Sequence, residues 1–153
     1  MSVTIDMSEV AKMQVHIDNV LPEALQDALN QAALLTKGEA VRSIQRGPKT
    51  GRVYEKKNPT RTHQASAPGQ SPATDTGILA GSIEADTKPP ATVNRAAMAR
   101  AVAGSTIEYA DFLELGTSSI KKRPFMFPAF LKVKPKLSML IKHAMKKRLR
   151  KNL

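Results

Sequence analysis

Three of the four phenylalanines of this chain fall within one short segment, Lys121-Lys-Arg-Pro-Phe-Met-Phe-Pro-Ala-Phe130, together with two prolines. Aromatic residues make up only 4% of the sequence, so this density stands out. Leaving such side chains in water costs roughly 1.5–3 kcal/mol each, which predicts a packing hub. The preceding stretch, Tyr109-Ala-Asp-Phe-Leu-Glu-Leu-Gly-Thr117, reads as a short amphipathic helix. Tyr109, Phe112 and Leu113 stand at i, i+3 and i+4 on its expected inner face, and Gly116 is the expected left-handed stop. The hub therefore comprises Tyr109, Phe112, Leu113, Glu114, Gly116, Arg123, Pro124, Phe125 and Pro128, with the rest of the chain docked on it. Glu114, flanked by Leu113 and Leu115, needs a partner in such a setting, and Arg123 is the expected one.

At 153 residues the chain is expected to form one domain, 1–153, with Leu, Ile, Val, Met and Ala supplying most of the core. No run approaches the ~20 apolar residues of a membrane span. The first residues lack a charged start followed by an apolar block, so no secretory signal is expected. With no cysteine there is no disulfide, thiol nucleophile or cysteine-based zinc site. The net charge of +11 is unevenly placed: no Asp or Glu follows Glu114, while 12 of the 24 Lys and Arg residues do. Such a field attracts polyanions or an acidic protein neighbour; a basic tail that only maintains solubility is the plainer alternative.

Taken in order, Val3, Ile5 and Met7 alternate with polar residues and suggest a short strand. Ser8 caps a helix to about Asp18, with Val10, Met13 and Ile17 on one face. The longest helical signal runs from Leu21 to Arg46. Pro22 suits its first position, Leu21, Leu25, Ala28, Ala32 and Leu35 form its apolar stripe, and Gly47-Pro48 ends it. Residues 48–76 lose all periodicity and read as an extended loop, either a floppy insertion or an arm ordered against a neighbouring subunit. Asp75 or Thr76 caps a short helix over 77–83. Two antiparallel strands follow, over 82–87 and about 98–104, joined by a connection holding Lys88, Pro89, Pro90 and Asn94. Leu137, Leu140, Ile141, Ala144, Met145 and Leu149 then trace a basic C-terminal helix within 135–153, with Pro135 kinking or starting it. The fold class is α+β: long N-terminal and C-terminal helices packed on a small antiparallel sheet, with one long extended loop.

No catalytic set emerges. His16, His63 and His143 lack a second ligand at metal-binding spacing, so neither a metal nor a cofactor is expected. Gly47-Pro-Lys-Thr-Gly51 lacks the spacing of a phosphate loop, and Ser66, Ser71 and Ser82 sit in no nucleophile elbow. Asp75, Glu84, Asp86, Asp111 and Glu114 have the spacing of caps and helix faces rather than of a nuclease cluster.

Three linked motifs carry a resemblance. The segment His63-Gln-Ala-Ser-Ala-Pro-Gly-Gln-Ser-Pro-Ala-Thr-Asp-Thr-Gly-Ile-Leu-Ala-Gly-Ser-Ile83 resembles the Ser-Ala-Pro-Gly-x-x-Pro-Ala-x-Asp-Thr-Gly-x-Leu-x-x-Ser-Ile signature of tailed-bacteriophage head–tail joining proteins, the neck or tail-completion family. Tyr109-Ala-Asp-Phe-Leu-Glu-Leu-Gly-Thr117 and Arg123-Pro-Phe-Met-Phe-Pro-Ala129 resemble its Tyr-Ala-x-x-Leu-Glu-x-Gly-Thr and Arg-Pro-Phe-x-x-Pro-Ala motifs. Ile78 stands where the family commonly has a basic residue, and Pro135 interrupts its usual last helix.

The resemblance implies a non-enzymatic virion protein, assembled in the host cytoplasm as a hexameric or dodecameric ring between the portal-connector complex and the tail tube. Its implied partners are copies of itself, other neck, connector and tail-tube proteins, and DNA passing through the lumen, with no membrane. In a ring, each subunit's surface must meet a complementary one on its neighbour. The 48–76 segment is the expected interface, with Arg52, Tyr54, His63, Ser66, Pro68, Pro72 and Asp75 as its candidates. Lys142, Lys146, Lys147, Arg148, Arg150 and Lys151 are the candidates for DNA or an acidic partner. The competing expectation is a basic nucleic-acid-binding accessory protein that uses the same helix on its own.

Overall fold

The structure, a computed structural model, describes residues 8–57, 60–87 and 99–151, with side chains described between 20 and 150. The strand expected over Val3–Met7, the side chains of Val10, Met13 and Ile17, and the 88–98 connection lie outside the described residues.

One helix, α1 (Ser8–Arg46), is the spine. Its 39 residues span about 58 Å at 1.5 Å per residue. The two helices expected on either side of residue 20 are continuous, and Pro22 lies inside the helix rather than at its start. Proline there removes one backbone hydrogen bond. Burial offsets the loss, because Val20 and Ala24, just before and after it, are both sealed from solvent. The inner stripe keeps Ala28 and Ala32 of the expected Leu21, Leu25, Ala28, Ala32 and Leu35 and departs from it at the leucines. Val20, Ala24, Ala28, Ala32, Thr36, Ala40 and Ile44, spaced by four, are buried, whereas Leu21 and Leu35 face outward. Alanine at the contact lets neighbouring backbones approach closely, which a leucine row would prevent. Thr36 sits in this stripe without an unmet hydroxyl, because its Oγ1 donates to the Ala32 carbonyl at 2.9 Å.

Two cores share the spine. Around Ala40 and Ile44 gather Leu79 and Ala80 of α2 (Ile78–Gly81), Ile83 of β3 (Ile83–Asp86), Ala110 of α3 (Tyr109–Leu115), and Phe125 and Ala129 of the α4 segment (Met126–Val133). Around Ala24, Ala28 and Ala32 lie Val133, Leu140 and Ala144, with Leu137, Ile141 and Met145 at the margin. The last helix, α5 (Leu137–Lys151), therefore buries Leu140 and Ala144 of the stripe read from its sequence and partly covers Leu137, Ile141 and Met145, while Leu149 lies outside this cluster. Pro135 falls in a 3-10 turn, Lys134–Lys136, that joins α4 to α5, so it separates two helices rather than bending one.

The sheets are small. β3 pairs antiparallel with β4 (Val102–Ser105) in the register Ile83 to Ser105 and Asp86 to Val102, and this pair packs on α1. The arrangement of two long helices with small antiparallel sheets is the expected α+β class. Residues 48–76 are a correction. They contain a hairpin, β1 (Val53–Lys57) and β2 (Thr60–Gln64), rather than irregular loop throughout. Threonines, lysines and arginines hide the period of 2 because neither face of the hairpin is buried in a core.

Candidate functional site

The hub region is where sequence and structure part most clearly. Phe125 is 1% exposed and fills the first core, but Phe112, Phe127 and Phe130 lie at the surface, Phe127 at 62%. On α3 the buried residue is Ala110, while Tyr109, Phe112 and Leu115 point outward and Leu113 is only partly covered. The motif thus holds one anchor and several apolar groups that the chain itself does not cover.

Glu114 has partners, though not Arg123. Its carboxylate accepts the N–H groups of Phe125 at 2.7 Å, Met126 at 3.0 Å and Phe127 at 2.9 Å. These are the orphan donors at the start of α4, a helix whose own N-cap residue, Phe125, offers no side-chain acceptor. The next position is Pro128, which has no N–H to satisfy. One carboxylate borrowed from α3 therefore caps α4 and meets the positive end of its dipole. Arg123 instead donates from Nε to the Ser66 carbonyl at 3.3 Å, while its N–H donates to the Leu113 carbonyl at 2.6 Å. Gly116 ends α3 at φ 80°, as expected for a glycine stop, although its ψ of 171° is extended rather than left-handed helical. A Cβ there would strain the backbone and crowd the Ile120 carbonyl at 3.0 Å.

A carboxylate outside the two strands fastens the hairpin. Asp75, expected as a helix cap, is instead the acceptor for Lys56 and Arg61 across the two strands, with His63 Nδ1 at 3.9 Å. The N-cap of the short helix α2 is Gly77, at φ 83° and with no side chain to offer, while Thr76, the other expected cap, accepts the Ile78 N–H at 3.5 Å. The hydrogen bond from Lys56 holds the Asp75 carboxyl below its usual range, burial works against it, and the charges of Arg61, Lys56 and His63 add to the lowering. Arg52 places its guanidinium 5.4 Å from the centre of the Tyr54 ring. The strands themselves are exposed along nearly their whole length. Of the remaining interface candidates, Pro68 is exposed, whereas Ser66 and Pro72 are buried within the chain.

Beneath the hairpin lies a cleft of about 240 Å³ bordered by His63, Asp75, Tyr109, Leu113 and Arg123. A second, more apolar groove of about 400 Å³ runs between α1 and α4, lined by Leu29, Ala33, Ala103, Met126, Phe127 and Phe130. Among the described residues no three His, Asp or Glu side chains converge as a metal site, and no helix is long and apolar enough to cross a membrane.

On α5, Lys142, Lys146, Lys147 and Arg150 are exposed, and no ion pair involves them among the described residues. Arg148 differs from them. Its guanidinium reaches back to Asp27 at 2.7 Å and to Glu23, and the hydrogen bond to Asp27 raises its pKa further. It clamps α5 to α1 and is spoken for within the chain. The side chain of Lys151 lies outside the described residues.

Sequence reading missed three tethers. Gln26 pairs its amide with both backbone groups of Arg100, donating at 2.7 Å and accepting at 3.1 Å, and so ties the approach to β4 onto α1. Ser43 meets Ser71 at 3.0 Å, and Ser82 meets Ser105 at 2.8 Å. No local pattern marks such pairs, because their partners are 23 to 74 residues away. No family model, curated protein or solved structure matches the chain.

Proposed function

We propose that the protein is a non-enzymatic structural subunit that assembles into a closed homo-oligomeric ring, in the setting its motifs resemble: the neck of a tailed bacteriophage, between the connector and the tail tube. The observation that carries the reading is the uncovered aromatic surface. Three of four phenylalanines are exposed, at Phe112, Phe127 and Phe130, in a chain that has so few aromatics to spend. Phe127 and Phe130 border one apolar groove with Leu29 and Met126, so they belong to a continuous surface rather than to scattered exposures. The hairpin, standing off the core, supports the same reading, since a lone two-stranded hairpin is marginal in water and gains from a neighbour.

Light scattering on the purified protein, with electron-microscope images of the particles, tests this. A closed ring of six or twelve copies is expected. A monomer at every concentration up to the millimolar range overturns the proposal.

A second reading rests on the unpaired cations of α5. Lys142, Lys146, Lys147 and Arg150 offer a phosphate-binding face to duplex DNA, either alone or inside a ring. Binding to duplex that is absent, or indifferent to salt, removes this reading.

A further inference from the structure

We infer that His143 belongs to the phosphate-binding face of α5, and that this face holds the backbone of duplex DNA more tightly as pH falls. The inference rests on the second reading above and names a further residue of that site and its regulation.

Helical geometry puts the imidazole among the cations. His143, Lys146, Lys147 and Arg150 stand at i, i+3, i+4 and i+7 on one side of α5, and together they border a hollow of about 570 Å³. Every exposed residue from Lys142 to Arg150 is basic, and none of these five is engaged by a hydrogen bond or ion pair among the described residues. Toward α1, His143 and Lys147 border a second hollow, of about 500 Å³, with Asp27, Gln31 and Arg148. Among the described residues Asp27 is the one carboxylate lining either hollow, and Arg148 already holds it at 2.7 Å. Like charges one turn apart oppose a helix, so an anion seated here relieves a repulsion that the sequence builds in.

The make-up of the face favours nucleic acid over an acidic protein. Protein interfaces centre on apolar and aromatic groups and are poor in lysine, whereas DNA interfaces are polar and strongly positive. No apolar side chain is exposed between Lys142 and Arg150. A neutral imidazole offers one N–H donor and one acceptor, while the imidazolium offers two donors and a charge. Phosphate in the hollow therefore favours the imidazolium, and by reciprocity the imidazolium favours phosphate. Histidine changes charge between about pH 5 and 8, which sets the window of the effect.

Fluorescence anisotropy of a labelled duplex, titrated with the full chain across a range of salt at about pH 5.5 and about pH 8, tests this. Each phosphate contact contributes close to 0.9 to the slope of log affinity against log salt, so the wild-type slope is expected to be steeper by about 0.9 at the lower pH. His143→Gln should lose that difference and bind as wild type does at the higher pH. His143→Arg should bind at the higher pH as tightly as wild type does at the lower. A pH difference that survives in His143→Gln, or an arginine variant no tighter than the glutamine one, removes His143 from the site and leaves the second reading standing. Poly-glutamate held more tightly than a duplex of equal charge overturns the inference in favour of an acidic protein. Absence of duplex binding at both pH values ends the inference and the second reading together.

Discussion

Glu114 shows how much a single carboxylate can settle. It accepts three backbone N–H groups that α4 has no other means of satisfying. Removing such an acceptor leaves partly buried donors orphaned, and charge-assisted hydrogen bonds of this kind contribute about 1.5–3 kcal/mol. Glu114→Ala is therefore expected to lower unfolding stability by about 2–3 kcal/mol in urea titrations, with Glu114→Gln intermediate because it retains an acceptor without the charge. If both variants unfold at the wild-type midpoint, the cap is incidental. The sequence announced that this residue needed a partner, since leucines flank it. It did not announce which partner, because an acceptor for backbone donors leaves no trace in side-chain type. Asp75 makes a comparable point with a pH signature. Its pKa is lowered in the fold, so the docking it supports is fully present above the ordinary carboxylate value near 3.8 and is lost as pH falls through the lower folded value. Amide shifts of Tyr54 and His63 followed by NMR should move in that acid window, and Asp75→Asn should abolish the transition and leave the hairpin loosely held at neutral pH.

At the scale of elements, the contrast lies between α5 and the phenylalanine segment. The stripe on α5 was readable because its apolar residues recur at helical spacing and do pack on α1. The phenylalanine segment was misread because hydrophobicity favours burial without fixing which side chains the chain itself covers. Phe125 is covered by its own chain, and Phe127 and Phe130 are not. The two kinds should separate under mutation. Phe125→Ala removes a core anchor and is expected to cost about 3–5 kcal/mol. Phe127→Ser with Phe130→Ser should leave the melting temperature of the monomer almost unchanged while abolishing assembly. The alanine stripe of α1 makes the opposite demand, for smallness. Ala28→Leu, in the core shared with α5, is expected to destabilise by about 1–3 kcal/mol through overpacking, although leucine is an excellent helix former. A neutral result in thermal unfolding would mean that the two helices are less tightly apposed than their buried alanines indicate.

Across the whole molecule, α1 acts as a beam with a different attachment on each half: the compact sheet-and-helix core around Ile44, and α5 with its cations along Ala24 to Ala32. Within α5 itself, the charges that hold the fold are distinct from those left to the surroundings. Arg148 belongs to the first group, through Glu23 and Asp27, whereas Lys142, Lys146, Lys147 and Arg150 belong to the second. Two variants read the difference. Arg148→Gln breaks a largely solvent-exposed pair of contacts and is expected to cost no more than about 1 kcal/mol of stability. Replacing the other four cations with glutamine should leave the urea midpoint in place, because none of them holds another element. If α5 does face duplex DNA, those four replacements should reduce the slope of log affinity against log salt by about 3–4, since each phosphate contact contributes close to 0.9. Arg148→Gln should change that slope by less than one contact. Equal slopes for wild type and the four-fold variant would assign the basic helix to solvent or to an acidic protein.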